Sequence, residues 1–171
     1  LRVPSIQRGV THASAPPAGR TSSATRLVIS TAMPTMRCMT RTVPIQPTDL
    51  PPPRGHYSPG LRAGPWLFVS GQVPLRQDGT LLLDRDLAAQ TRQCLDNLRK
   101  VLVAGGSTLE HVVKVTVFLA AADGWPVVNQ IYAEVFGAHR PARSVVPVPP
   151  FAGGFLVEIE AIALADEPDR P

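Results

Sequence analysis

Two helical stripes constrain the fold of this chain more than any other feature. Leu87, Thr91, Cys94 with Leu95, Leu98, and Val101 with Leu102 recur at three- and four-residue spacing, the period of one helix face. Asp84 or Asp86 stands where an N-cap acceptor belongs, and Gly105-Gly106 closes the pattern. The second stripe runs through Val128, Ile131, Tyr132 and Val135 and ends at Gly137. Strand candidates surround them at residues 58–62, 66–70, 81–83, 112–119, 143–148 and 155–164. The order β-β-β-α-β-α-β-β leaves two helices for a mixed five- or six-stranded sheet, too few to cover both faces. The expected fold is therefore α+β, a single two-layer domain with both helices on one face. The last strand is apolar at both parities: Phe155, Val157 and Ile159 on one, Leu156, Ile162 and Leu164 on the other. Such a strand favours burial of the open face by another subunit.

Charge is unevenly placed. Residues 1–48 hold six Arg and no acid, hence +6, while the remainder holds 11 basic and 13 acidic residues, hence −2, which recovers the net +4. The isoelectric point near 9.7 therefore belongs to the N-terminal segment, and a nucleic-acid surface on the domain is not implied. Rich in Ser, Thr, Arg and Pro and lacking periodicity, residues 1–53 read as a disordered basic extension that ends at Pro51-Pro52-Pro53. Residues 54–165 form the expected domain and 166–171 a short tail. The Arg/Ser-rich, acid-free extension fits a mitochondrial-type transit segment. The favoured alternative is a dispensable tail, or a start at Met33, Met36 or Met39, on a cytoplasmic protein. No apolar run approaches the ~18–20 residues of a membrane span. Cys38 and Cys94 form no CxxC pair and have no His at ligand spacing. Neither a disulfide framework nor a zinc site is expected, and Cys94 reads as a small core residue.

No nucleophile elbow, P-loop, dinucleotide fingerprint or metal-ligand cluster is written in the chain. What remains is a set of polar residues near strand ends: Tyr57, Ser70, Gly71, Asn129, Arg143, Glu158 and Glu160. Arg143 enters a half-apolar strand, where an unpaired guanidinium costs several kcal/mol and so requires an anion. Glu158 or Glu160 would supply a structural ion pair. The carboxylate of a small substrate would be gripped bidentately by the same planar fork. Taken singly, the residues leave both open, just as Tyr57 alone would be an edge tyrosine and Ser70 a turn residue.

Seven segments occur together in one order: Tyr57-Ser58, Phe68-Val69-Ser70-Gly71-Gln72-Val73-Pro74, Gln90-Thr91-Arg92-Gln93-Cys94-Leu95-Asp96-Asn97-Leu98, Val113-Lys114-Val115-Thr116-Val117-Phe118-Leu119, Val128-Asn129-Gln130-Ile131-Tyr132, Pro141-Ala142-Arg143-Ser144, and Val157-Glu158-Ile159-Glu160-Ala161-Ile162-Ala163. In this the chain resembles the RidA/YjgF family of enamine/imine deaminases over about residues 55–165. The resemblance implies a chorismate-mutase-like fold assembled as a homotrimer, with active sites in clefts between subunits. It implies that Arg143 holds the substrate carboxylate, Glu158 orients or activates the hydrolytic water, and Tyr57 closes the site, with Ser70, Gly71 and Asn129 lining it. The implied reaction is cofactor-free and metal-free hydrolysis of small enamine or imine acids, of the 2-aminoacrylate type, to 2-keto acids and ammonia. Non-catalytic binding of 2-keto acids in the same clefts is the alternative, and an RNA-directed endoribonuclease or translation inhibitor a more distant one. Three positions depart from the family pattern: Pro59 follows His56-Tyr57-Ser58, Val145 stands two after the arginine, where the best-known members often carry Cys, and Pro147, Pro149 and Pro150 stiffen the following loop. These departures bear on substrate range.

Overall fold

Burial alternates along Val112–Leu119, apart from its second and third residues, and along Val157–Leu164, giving each strand one dry face, and they pair antiparallel at the centre of the sheet. The computed structural model describes residues 42–166 apart from 85 and 121; residues 1–41, on which the transit-segment reading rests, lie outside these. The strands are β1 (Thr42–Ile45), β2 (Gly60–Ala63), β3 (Trp66–Gln72), β4 (Val112–Leu119), β5 (Ala142–Pro147) and β6 (Val157–Leu164), and the helices α1 (Leu87–Ala104) and α2 (Trp125–Phe136). They form one six-stranded sheet in the order β1-β2-β3-β6-β4-β5. All pairings are antiparallel except β4 with β5, which α2 connects in parallel.

Both helices lie on one face, as the stripe count requires. Leu67 and Val69 of β3, Val115, Val117 and Leu119 of β4, and Val157, Ile159, Ala161 and Ala163 of β6 are buried beneath them. Cys94, Leu95, Leu98, Val101 and Leu102 of α1 close the core with Val128, Ile131, Tyr132 and Phe136 of α2. The Asp86 side chain accepts from the Ala89 amide at 2.8 Å and caps α1. The opposite face has no helix: Trp66, Phe68, Val146 and Leu164 are exposed on it beside Ile162, Phe118, Glu158 and Glu160. No helix of the described residues is long and apolar enough to cross a membrane.

Two expectations are corrected. The disordered extension assigned to 1–53 does not reach so far, because Thr42–Ile45 pairs with β2 as the edge strand and Leu50 is buried. Four residues containing Pro44 carry almost no strand signal, but proline is tolerated at a sheet edge, where only one side of the backbone is paired. Residues 81–83 do not form a strand; Leu81 makes a single isolated bridge to Leu75. The sheet reaches six strands through β1 instead.

Gly105 ends α1 where it meets β3. A Cβ there would stand 2.5 and 2.8 Å from the two methyl carbons of Leu67, which is fully buried and has nowhere to retreat. Gly105→Ala is therefore expected to cost about 1–3 kcal/mol through overpacking, read as a lowered urea midpoint with unchanged m-value.

Candidate active site

Arg143 stands on β5 in register with Val115 of β4. Directly paired residues share a face, so Arg143 points to the helix side of the sheet. There it meets α2. Its Nη2 donates to Asn129 Oδ1 at 2.8 Å, and its guanidinium carbon lies 4.5 Å from the centroid of the Tyr132 ring. Asn129 and Tyr132 are three apart and so lie on one side of the helix. Tyr132 in turn stacks on Phe136 at 4.3 Å. Burial, opposed by the neighbouring Arg143, pushes the Tyr132 phenol up to about 12, and its hydroxyl has no hydrogen-bond partner. Arg143, Asn129 and Tyr132 line a cavity of about 460 Å³ with His139, Arg140 and Pro141, and no carboxylate lines it. Among the described residues, no ion pair joins Arg143 to an acid.

Glu158 stands on β6 between Val157 and Ile159, both fully buried under the helices. It therefore projects from the open face, as Glu160 does. This disposes of the structural ion pair left open by the residue types, because Arg143 and the two glutamates lie on opposite faces of the same sheet. Burial first, and the Glu160 charge second, hold the Glu158 carboxyl above its ordinary range.

Gly71 explains where that carboxyl can go. The pairing of β3 with β6 shifts register between Val69 and Gln72, and a bulge of this kind re-aims the backbone locally. A Cβ on residue 71 would coincide with the Glu158 carboxyl oxygen, so only glycine lets the carboxylate lie across the strand there. Beside it, Ser70 Oγ donates to the Ser58 carbonyl at 2.7 Å and the Ser70 amide to the Pro59 carbonyl at 3.0 Å. Ser70 thus anchors the segment that presents Tyr57 and spends its own hydroxyl proton doing so. Tyr57 is 56% exposed and shares a second cavity with Gly71.

The six predicted residues thus fall into two groups. Tyr57, Ser70, Gly71 and Glu158 form one, and Arg143 with Asn129 the other; within one chain the groups are separated by the sheet. Tyr132 was legible only as part of the α2 core stripe, although its spacing from Asn129 was a usable signal for a platform under Arg143. Asn97 was equally hidden. Almost fully buried, it donates to the Val73 and Leu75 carbonyls at 3.1 and 2.8 Å and accepts from Gln93, pinning the loop beyond Gly71.

Comparison with known proteins bears on the family and the fold. A family model described as Endoribonuclease L-PSP matches residues 48–165. A RutC family protein of Pyrococcus horikoshii is 42% identical over 115 residues, 67% of this chain and 91% of that protein. The 3-aminoacrylate deaminase RutC of Acinetobacter baylyi is 36% identical over 119 residues, 70% of this chain and 94% of that one. The solved structure of the E. coli YjgF gene product superposes with a TM-score of 0.67 at 35% identity, covering 71% of this chain and 98% of that one. Sequence, sheet order and helix placement together make the chain a member of the RidA/YjgF family.

Proposed function

We propose that this protein hydrolyses small 2-imino acids and their enamine tautomers, in sites each completed by two subunits. The observation that carries the reading is the division just described. A guanidinium without an acidic partner faces one side of the sheet, and a carboxyl with a raised pKa faces the other. A second copy seated against the open face would cover Trp66, Phe68, Val146 and Leu164, which together are too apolar a patch to leave wet. Because β5 is an edge strand of the sheet, such a copy could present its Arg143 from that edge towards its neighbour's Glu158. A closed ring of three copies repeats that contact without leaving an unsatisfied face. The relative named a 3-aminoacrylate deaminase acts, by that name, on a related small enamine acid whose nitrogen is on C3 instead of C2.

The chemistry follows from these groups. Arg143, held by Asn129 and lying on the Tyr132 ring, receives the substrate carboxylate. An enamine acid gains a proton at carbon and gives one up from nitrogen, becoming the imine. Glu158 takes a proton from water as the water oxygen bonds to the imine carbon, and the nitrogen receives a proton. The hydroxyl proton of the resulting carbinolamine is passed, through Glu158, to its nitrogen as the C–N bond breaks, so ammonia leaves with a 2-keto acid as the other product. A carboxyl whose pKa is raised towards the working pH is a better relay than an ordinary one. Positioning and proton transfer are all this reaction asks of the protein.

Arg143→Ala and Glu158→Gln are each expected to lose about 10²–10³-fold in kcat/KM on an imine generated by an amino-acid oxidase. If the site is shared, mixed trimers of the two variants regain about a quarter of the wild-type sites, because only one donor combination in four is intact. Mixing that restores nothing would place both residues in one chain's site and sink the shared-site reading. Binding of 2-keto acids with no acceleration of any imine would instead favour a non-catalytic role.

The pH dependence has a definite sign. Glu158 acts as a base when ionised, so kcat/KM falls with falling pH at a midpoint above the ordinary carboxylate range. For stability the raised folded-state pKa means the native protein binds more protons than the unfolded chain between the two pKa values. The fold therefore loses stability as pH rises through the folded pKa, and Glu158→Gln is expected to raise Tm at neutral pH while lowering kcat. Tyr132→Phe keeps the ring beneath Arg143 and is expected to leave KM near wild type, whereas Tyr132→Leu raises KM by about 3–10-fold through the lost cation–π contact.

A further inference from the structure

The cavity that Tyr57 and Gly71 share is not explained by hydrolysis of the smallest imines. Its volume is about 220 Å³, larger than the ~150 Å³ apolar space known to accommodate a benzene ring. Its walls include Pro51, Pro53, Leu75, Leu81 and Phe155. Several of the polar residues that reach it spend donors on neighbouring carbonyls. Arg54 donates to the Gly79 carbonyl at 2.7 Å, Gln72 to the Ser70 carbonyl at 2.9 Å, and Asn97 uses its amide on the Val73 and Leu75 carbonyls. An occupant therefore meets a surface that is mainly apolar, with Tyr57 and Arg54 as its polar exceptions. The surface is also stiff. Phe155 is stacked on Phe151 at 4.3 Å, and the proline run on the other wall has locked φ angles. Gly71 is one of its lining residues, and the Glu158 carboxyl lies against that glycine.

We propose that this cavity receives the substrate's side chain and makes the enzyme selective for 2-imino acids with branched or aromatic apolar side chains over those bearing only a methyl group. The proposal rests on the deaminase reading above and names its substrate class. With the reacting carbon beside Glu158, a side chain the size of a benzyl group extends past Gly71 and Tyr57 to Leu81 and Phe155. Each buried methylene strengthens transition-state binding in such a pocket, and one alone is worth about tenfold or more in selectivity.

The test compares imines generated by an amino-acid oxidase from phenylalanine, leucine and alanine. The wild-type protein is expected to show kcat/KM about tenfold or more higher for the phenylalanine and leucine imines than for the alanine imine. Leu81→Trp fills the cavity and is expected to lower the phenylalanine-to-alanine ratio by about the same factor. Inhibition of the wild-type protein needs no variant: the keto acid of phenylalanine should compete about tenfold or more better than pyruvate. Equal rates on all three imines, with the two keto acids competing equally, would overturn the assignment while leaving the deaminase intact. Should no imine be accelerated, the deaminase reading fails. Calorimetric binding of the two keto acids to wild type and Leu81→Trp then decides the pocket separately, with equal affinities refuting it.

Discussion

The alternation of β6 sends Val157, Ile159, Ala161 and Ala163 beneath the helices and Glu158, Glu160, Ile162 and Leu164 out of the other side. Everything else in the structure is arranged around that division. It gives α1 and α2 a floor to pack on, because a helix stripe is stable only when its apolar face has somewhere to go. It leaves a second face that is partly apolar and uncovered by helix. It also puts the two groups capable of acid–base and anion chemistry on opposite sides of one sheet, which no rotamer change can reverse.

The two groups of polar residues differ in how they are held. Arg143 is supported on the helix side by a hydrogen bond to Asn129 and by the face of Tyr132, groups that orient a cation without neutralising it. Its charge remains available to an incoming anion. Glu158 is held by the opposite means. Its carboxyl crosses a bare glycine, partly buried and beside a second glutamate, so its neutral form is favoured more than in water. The guanidinium thus has no carboxylate beside it, while the Glu158 carboxyl is held above its ordinary range, on the opposite face of the same sheet.

Much of this was legible in the chain because it depends on local period. The stripes of α1 and α2 and the alternation of β4 and β6 are written in successive residues, so element type, helix count and the one-sided architecture followed from them. Seven ordered motifs pointed to Arg143, Asn129, Tyr57, Ser70, Gly71 and Glu158 as a set. The misses are equally physical. β1 is four residues with a proline, and it is a strand only because β2 offers it an edge. Residues 81–83 look like a strand but have no neighbour to complete one, and Leu81 serves instead as a cavity wall. Tyr132 reads as core, and its role beneath Arg143 appears only once α2 is laid against β5.

By itself, then, the sequence determined the two-layer α+β class, the family and the identity of the polar residues, since periodicity and motif order are properties of neighbours along the chain. Only the tertiary structure decided on which face each residue stands, that Arg143 pairs with an amide and a ring rather than with Glu158 or Glu160, and that Gly71 is bare so that a carboxylate may cross it. Those facts arise from strand register and from the bulge in β3. Register is a relation between residues far apart in sequence, and a shift of a single residue would have turned every one of these side chains to the other face.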